Sequence, residues 1–307
     1  MNVLSLFGGT ETGLIALKEL GAKINNYYSS EIDKYTASVA KYNHPEIKHL
    51  GPIEDYELWE LPKIDLILAG PPCQGFSIAG KGLNWDDPRS QLFFKAIEIL
   101  WKYEPEYFLF ENVASMKKEI RSEINELMEV NSVMINSALV SAQNRKRLYW
   151  CNWDINQPKD KGLFLKDIVE FGEPLADKSQ TIPSTIYKEN AKSMIKRNKK
   201  GLLVYVNDKI NSSQDGKIVD VSGKSLTLTA GHNNYPKIGK DKNNFRKLTP
   251  IECERLQTLT DNYTLNGADT NGKTIKISNT QRYRMIGNGW TKDVIKHILS
   301  HANCIYT

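Results

Sequence analysis

Three short stretches carry side chains able to do covalent chemistry. "AGPPCQGFS" (69–77) sets a lone cysteine, Cys73, behind a Pro-Pro pair and just after the apolar run "IDLIL". At the carboxyl edge of a sheet such a thiol is either an inert packing group or a nucleophile, and position alone leaves both open. "LFEN" puts Glu111 and Asn112 at the end of another apolar strand, so a second polar group reaches the same edge. "QNRKRLYW" places Gln143, Arg145 and Arg147 in alternation before an aromatic run, and all three can face one side of a strand. A nucleophile, a carboxyl group and two guanidiniums would then converge.

A ligand signal accompanies them. "LFGGTETG" (6–13) follows the first strand and opens the first helix, where a glycine-containing turn lets a ligand approach backbone amides. The next strand ends at Glu31, a position from which a carboxylate can meet a ribose. Together they suggest a nucleoside-bearing cofactor; the alternative is a plain connecting turn and a solvated strand-end acid.

The elements that must position these groups alternate along the first 150 residues. Apolar runs such as "NVLSLF", "NYYSSEI", "KIDLILAG" and "YFLFENV" interleave with helical patterns such as "TGLIALKELG" and "QLFFKAIEILWKY". That alternation predicts an α/β fold with a doubly wound, mostly parallel sheet covered by helices on both faces. In residues 12–20, Leu14, Leu17 and Leu20 share one helical face and Gly21 can close the helix in a left-handed conformation. From 155 to 245 the alternation fails and Asn, Lys, Ser and Gly abound, which predicts a small irregular second domain. "TPIECERLQTL" and "TKDVIKHILSHA" restore the earlier style, so residues 246–307 are expected to return to a first domain of residues 1–154.

Charge adds a partner. The 307-residue chain carries a net +5, yet residues 178–247 hold fifteen Lys/Arg against five Asp/Glu, leaving the remainder net negative. A basic segment on a mildly acidic body suits a polyanion, and its other reading is a lysine-rich solvated surface. The cysteines at 73, 151, 253 and 304 lack metal-ligand or disulfide-framework spacing, so no metal is expected and a reduced compartment fits. With no long apolar run and no signal-peptide pattern in "MNVLSLFGG", the cytoplasm is the expected location and no membrane partner is expected.

In order along the chain, "FGGTETG", "GPPCQGFS", "ENV", "QNRKR", "RKLTPIECERLQ" and "QRYRMIGNGW" resemble the motifs of the DNA cytosine-5 methyltransferases. The resemblance covers nearly everything outside 155–245. The Pro-Cys-Gln core is of prokaryotic or phage type, while "GNGWTKDVI" and the Thr-Gly loop ending are similar to the animal de novo enzymes. It implies a Rossmann-like class I methyltransferase fold with a target-recognition region at 155–245. It also implies S-adenosylmethionine as cofactor, held by Phe7, Gly9, Thr10, Glu11, Thr12, Glu31, Ile32, Ile53, Pro72, Asn288, Gly289 and Trp290.

The implied chemistry is thiolate addition by Cys73 to C6 of a flipped-out cytosine, which makes C5 nucleophilic. Unperturbed thiols titrate near ~8.5, and Arg147 is the cation expected to favour ionisation of Cys73. Glu111 serves N3, Arg145 steadies Glu111, Arg147 also contacts the cytosine carbonyl, and Asn112 helps anchor the cysteine loop. Ser77, Lys81, Arg89, Gln143, His232 and Asn233 are the expected nucleic-acid contacts. Double-stranded DNA is the expected partner of a monomer, with a cognate restriction endonuclease in a restriction-modification setting. The alternatives are tRNA methylation, whose Cys-Phe-Thr signature is absent here, and a catalytically weak DNA-binding accessory protein, disfavoured by the intact catalytic set.

Two residues depart from the family pattern. Glu11 stands where a small residue is usual, and Pro52 where an aspartate usually accepts from the adenine amine. Glu11 could pair with a cofactor cation, repel its carboxylate or turn to solvent. The expectation is ordinary S-adenosylmethionine bound less tightly than usual, and the alternative is an altered donor.

Overall fold

The computed structural model describes residues 1–72, 88–171, 173–174, 176–189, 193–194, 203–205 and 246–305. Its strands are β1 (Asn2–Leu6), β2 (Asn26–Ser30), β3 (Lys48–His49), β4 (Leu66–Ala69), β5 (Tyr107–Val113), β6 (Val133–Asn136), β7 (Gln143–Asn144) and β8 (Lys146–Cys151). All but β7 share one sheet, in the order β3-β2-β1-β4-β5-β8-β6. β1 to β5 run parallel, and β8 lies antiparallel between β5 and β6. The doubly wound, mostly parallel sheet read from the alternation is therefore present.

Strand periodicity divides the core into two faces. Leu4, Leu6, Ile67, Ala69, Phe108, Phe110, Leu148 and Trp150 point to one side, where α3 (Pro88–Tyr103) and α4 (Lys118–Leu127) supply Phe93, Ile97, Leu100 and Ile124, with Met128 just beyond. Val3, Leu66, Leu68, Leu109 and Tyr149 point to the other. There they meet Leu14 and Leu17 of α1 (Thr12–Glu19), Ala40 of α2 (Lys34–Asn43) and the apolar face of a helix from the far end of the chain, Lys292–Leu299. Gly21, at φ +75, ends the α1 region in the left-handed conformation, with the Ala22 N–H donating to the Leu17 carbonyl at 3.1 Å.

A third apolar cluster joins Leu165, Ile168, Ile182, Ile186 and Met194 to residues of α5 (Pro250–Leu256) and α6 (Asn279–Asn288). α5 begins with a capping box: Thr249 Oγ1 accepts from the Glu252 amide at 3.1 Å and Glu252 accepts the Thr249 amide at 2.7 Å, with Pro250 at the first helical position. The helix Lys292–Leu299, now α7, follows α6 directly. Among the described residues, no helix is long and apolar enough to cross a membrane.

Candidate active site

The carboxyl ends of β1, β2, β4 and β5 open onto a cavity of about 360 Å³. Phe7 and Gly9 line it from the loop after β1, Glu31 and Ile32 from the end of β2, Pro71 and Pro72 after β4, and Glu111 and Asn112 from β5. This is the edge where doubly wound sheets take ligands.

The loop after β1 is turned tightly. Phe7, Gly9 and Glu11 all hold positive φ, at 57°, 59° and 56°. For the two non-glycine residues that conformation costs roughly 1–2 kcal/mol each, the kind of backbone strain that collects at ligand sites. Glu31 fastens the loop: its carboxylate accepts the Gly9 N–H at 2.9 Å and the Asp33 N–H at 2.7 Å. Burial pushes the Glu31 carboxyl up from its ordinary value, against the pull of those amides. It is a bound, half-buried acid and not a solvated strand end.

Glu11 does not turn to solvent. Its carboxyl is buried behind the loop, with Tyr27 Oη donating at 2.9 Å and Ser29 Oγ donating to the other oxygen. Desolvation raises its pKa to about 7, outweighing the hydrogen bonds from Ser29, Tyr27 and Ser5. The carboxyl occupies the space a side chain at position 8 would need, since a Cβ on Gly8 would collide with Glu11 Oε1.

The polar groups at the other end of the cavity come from β5 and β8. Arg147 Nε lies 2.8 Å from Glu111 Oε1, and Trp290 Nε1 donates to Glu111 Oε2 at 3.2 Å. The register explains the pairing, because Val113 of β5 stands opposite Arg147 and Glu111 opposite Tyr149. Asn112 Nδ2 donates to the Pro71 carbonyl at 3.3 Å, tying β5 to the chain two residues before Cys73. Arg145, buried, donates to the carbonyls of Gly289 at 2.9 Å and Gly287 at 3.4 Å.

Several expectations change. The resemblance assigns the steadying of Glu111 to Arg145, whereas the 2.8 Å ion pair with Glu111 belongs to Arg147. Gln143, expected at nucleic acid, is fully buried, donating to the Leu256 carbonyl and Gln257 Oε1 while accepting the Ile182 amide. The cause is a break at Arg145: β7 pairs in parallel with Ser179–Gln180, while β8 joins the main sheet, so the three alternating residues do not share a strand. The side chains of Thr10, Glu11, Thr12 and Ile53 are buried behind the cavity, Ile53 within the core against α3. Trp290 stands behind it as well, against Glu111. Cys73, Ser77, Lys81, the Arg89 side chain, His232 and Asn233 lie outside the described residues.

Sequence reasoning also missed residues. Gln281, Arg284, Met285 and Asn288 all face the cavity, and of these only Asn288 is among the expected cofactor contacts. Their spacing of i, i+3, i+4 and i+7 marks one face of α6, a signal readable in "QRYRMIGN". Arg284 Nη1 meets Asp33 Oδ2 at 3.2 Å across the mouth. A nucleoside cofactor fits this half: a fastened carboxylate for ribose hydroxyls, the exposed apolar side chain of Ile32 for a base, and Gly9, at φ +59, which adds no side chain to the wall.

Comparison with known proteins agrees with this geometry. The model of the C-5 cytosine-specific DNA methylase family matches residues 1–303. A type II methyltransferase of Lactococcus lactis subsp. cremoris, M1.ScrFI, is 30% identical over 92% of this chain and 72% of its own. The type II methyltransferase M.NgoBI of Neisseria gonorrhoeae is 30% identical over 86% and 84%. The solved structure of a Spodoptera frugiperda DNMT2 variant shares the fold at a TM-score of 0.62 and 22% identity, covering 100% of this chain and 99% of the other. The chain belongs to the C-5 cytosine-specific DNA methylase family and is a DNA cytosine-5 methyltransferase.

Proposed function

We propose that the protein methylates C5 of a cytosine flipped out of duplex DNA, at a short sequence, with S-adenosylmethionine as donor and a covalent Cys73–C6 adduct as intermediate. The observation that carries this reading is the ion pair of Glu111 with Arg147 on the cavity wall, beside the Pro71–Pro72 segment that leads into Cys73.

The chain's residues divide the work. The thiolate of Cys73 attacks C6, and the displaced electron pair moves through the ring toward C5. Glu111 neutralises the developing negative charge by a hydrogen bond or proton at N3, and Arg147 holds that carboxyl in line. The Arg147 guanidinium also adds the positive charge that favours a thiolate nearby. Asn112 anchors the chain before Cys73 through the Pro71 carbonyl. At the far end, among the residues lining the cavity, Glu31 would accept from the ribose hydroxyls and Ile32 would cover the adenine, with Phe7, Gly9, Asn288 and Gly289 completing the wall. When bound, S-adenosylmethionine supplies an electrophilic methyl group. Loss of the C5 proton to a base then expels Cys73 and restores the ring.

Residues 155–245 act as the target-recognition region on a catalytic body of 1–154 and 246–307, and their basic charge meets the DNA backbone. The enzyme works in the cytoplasm as a monomer. Digestion of duplex DNA treated with the protein and S-adenosylmethionine, followed by nucleoside mass spectrometry, is expected to yield 5-methylcytosine. Unmodified cytosine, or a base carrying another mass, contradicts the reading.

A further inference from the structure

The indole of Trp290 lies at none of the positions on the cavity wall, yet its Nε1 donates to the carboxyl expected to do the chemistry. Glu111 is thereby held at both oxygens: Arg147 Nε at 2.8 Å on Oε1 and Trp290 Nε1 at 3.2 Å on Oε2. A carboxyl bonded at one oxygen can still swing about its terminal torsion, whereas donors at both oxygens fix its plane. We propose that Trp290 is a positioning residue for Glu111, setting the plane in which that carboxyl meets the target base; this rests on the reading of Glu111 as the group that serves N3.

The surroundings of the indole support a fixed strut. It lies against Gly70, the first residue after β4, where a Cβ would come within 2.9 Å of Nε1 and 3.2 Å of Cε2. Gly70 begins the "GPPC" stretch of sequence, so one ring spans from Gly70, at the end of β4, to Glu111. The residue before it is clamped, because the Gly289 carbonyl accepts from Arg145 at 2.9 Å and from Gln257 Nε2 at 3.2 Å. The residue after it is clamped too. Thr291 Oγ1 donates to Gln257 Oε1 at 2.8 Å and lies 2.9 Å from Ser137 Oγ, both inside the protein. Arg145 thus acts on Glu111 at one remove, through the backbone that carries Trp290. Preorganised donors of this kind matter because the reacting geometry tolerates only small errors.

The test is a double-mutant cycle of Trp290→Phe and Glu111→Gln, read as single-turnover methyl transfer with saturating duplex and cofactor. Phe keeps a ring against Gly70 and removes the N–H. Trp290→Phe is expected to lower the rate on the order of tenfold with Glu111 present and less than twofold in the Glu111→Gln background, with the calorimetric Kd for S-adenosylmethionine unchanged. Gly70→Ala, which pushes a methyl into the indole, is expected to reproduce this pattern from the other side. An equal loss in both backgrounds overturns the positioning role, as does a loss carried by cofactor Kd alone. Glu111→Gln at the wild-type rate instead sinks the parent reading of Glu111, a result seen without any change at Trp290.

Discussion

Replacing Glu11 by Gln changes how stability depends on pH, and the structure sets both sign and size. The folded carboxyl titrates at about 7 against an ordinary 4.5, because burial behind the loop penalises the charge more than Ser29, Tyr27 and Ser5 relieve it. Among the described residues no cation pairs with it, and Glu31 adds repulsion. Between pH 4.5 and 7 the folded chain keeps this proton while the unfolded chain loses it, so stability falls as pH rises across that window and levels off above it. The shift corresponds to about 3 kcal/mol over the whole window. Gln keeps one oxygen to accept from Tyr27 or Ser29, offers its amide N–H to the other hydroxyl, and has no charge to lose. Urea unfolding of both proteins at about pH 5 and about pH 8 is expected to show the stability difference moving by roughly 2–3 kcal/mol toward the Gln variant at the higher pH. Subtracting the two proteins cancels groups that titrate identically in both. Stability curves that stay parallel across that range would refute the assignment of a buried, proton-holding Glu11.

Further expectations concern ligands. Pro52→Asp is expected to tighten S-adenosylmethionine by about fivefold in calorimetry, the worth of one restored hydrogen bond to the adenine amine, and unchanged affinity contradicts the missing contact. Neutralising Lys192, Lys196, Lys199 and Lys200 together is expected to weaken binding to all duplexes alike and flatten the salt dependence, which titrations at several salt concentrations read directly; an unaltered slope makes the cluster a solvated face. Arg147→Ala removes the ion pair that holds Glu111 and is expected to slow single-turnover transfer by roughly tenfold or more, with duplex affinity retained.

How much of this was legible varies by element. "YFLFENV" reads as a strand and is one over Tyr107–Val113, because a central strand covered on both faces is apolar on both. Glu111 and Asn112 near its end therefore fall at the sheet edge, where the reading puts them. "QNRKRLYW" misleads, since alternation presumes one continuous strand, while the partner of Gln143–Asn144 sits at Ser179–Gln180, beyond the reach of local pattern. The choice between Arg145 and Arg147 as partner of Glu111 depends on the β5–β8 register, which no spacing within either strand encodes. The fate of Glu11 needs β1 and β2 side by side, because Ser5, Tyr27 and Ser29 only then surround it. The cavity face of α6 is encoded as helical spacing and needs only to be counted.

The covalent step is the centre of the account, and a duplex carrying 5-fluorocytosine at the methylated position tests it. Fluorine at C5 cannot leave as the proton does, so an adduct formed through the thiolate and advanced by methyl transfer has no route to elimination. With S-adenosylmethionine, the wild-type chain is expected to remain joined to this duplex through denaturing electrophoresis. Peptide mass spectrometry is expected to place the nucleotide on Cys73, and Cys73→Ser to give no adduct while still binding the duplex. A wild-type protein that methylates ordinary duplex yet leaves no denaturation-stable complex with the fluorinated one, or an adduct on another residue, would contradict the mechanism.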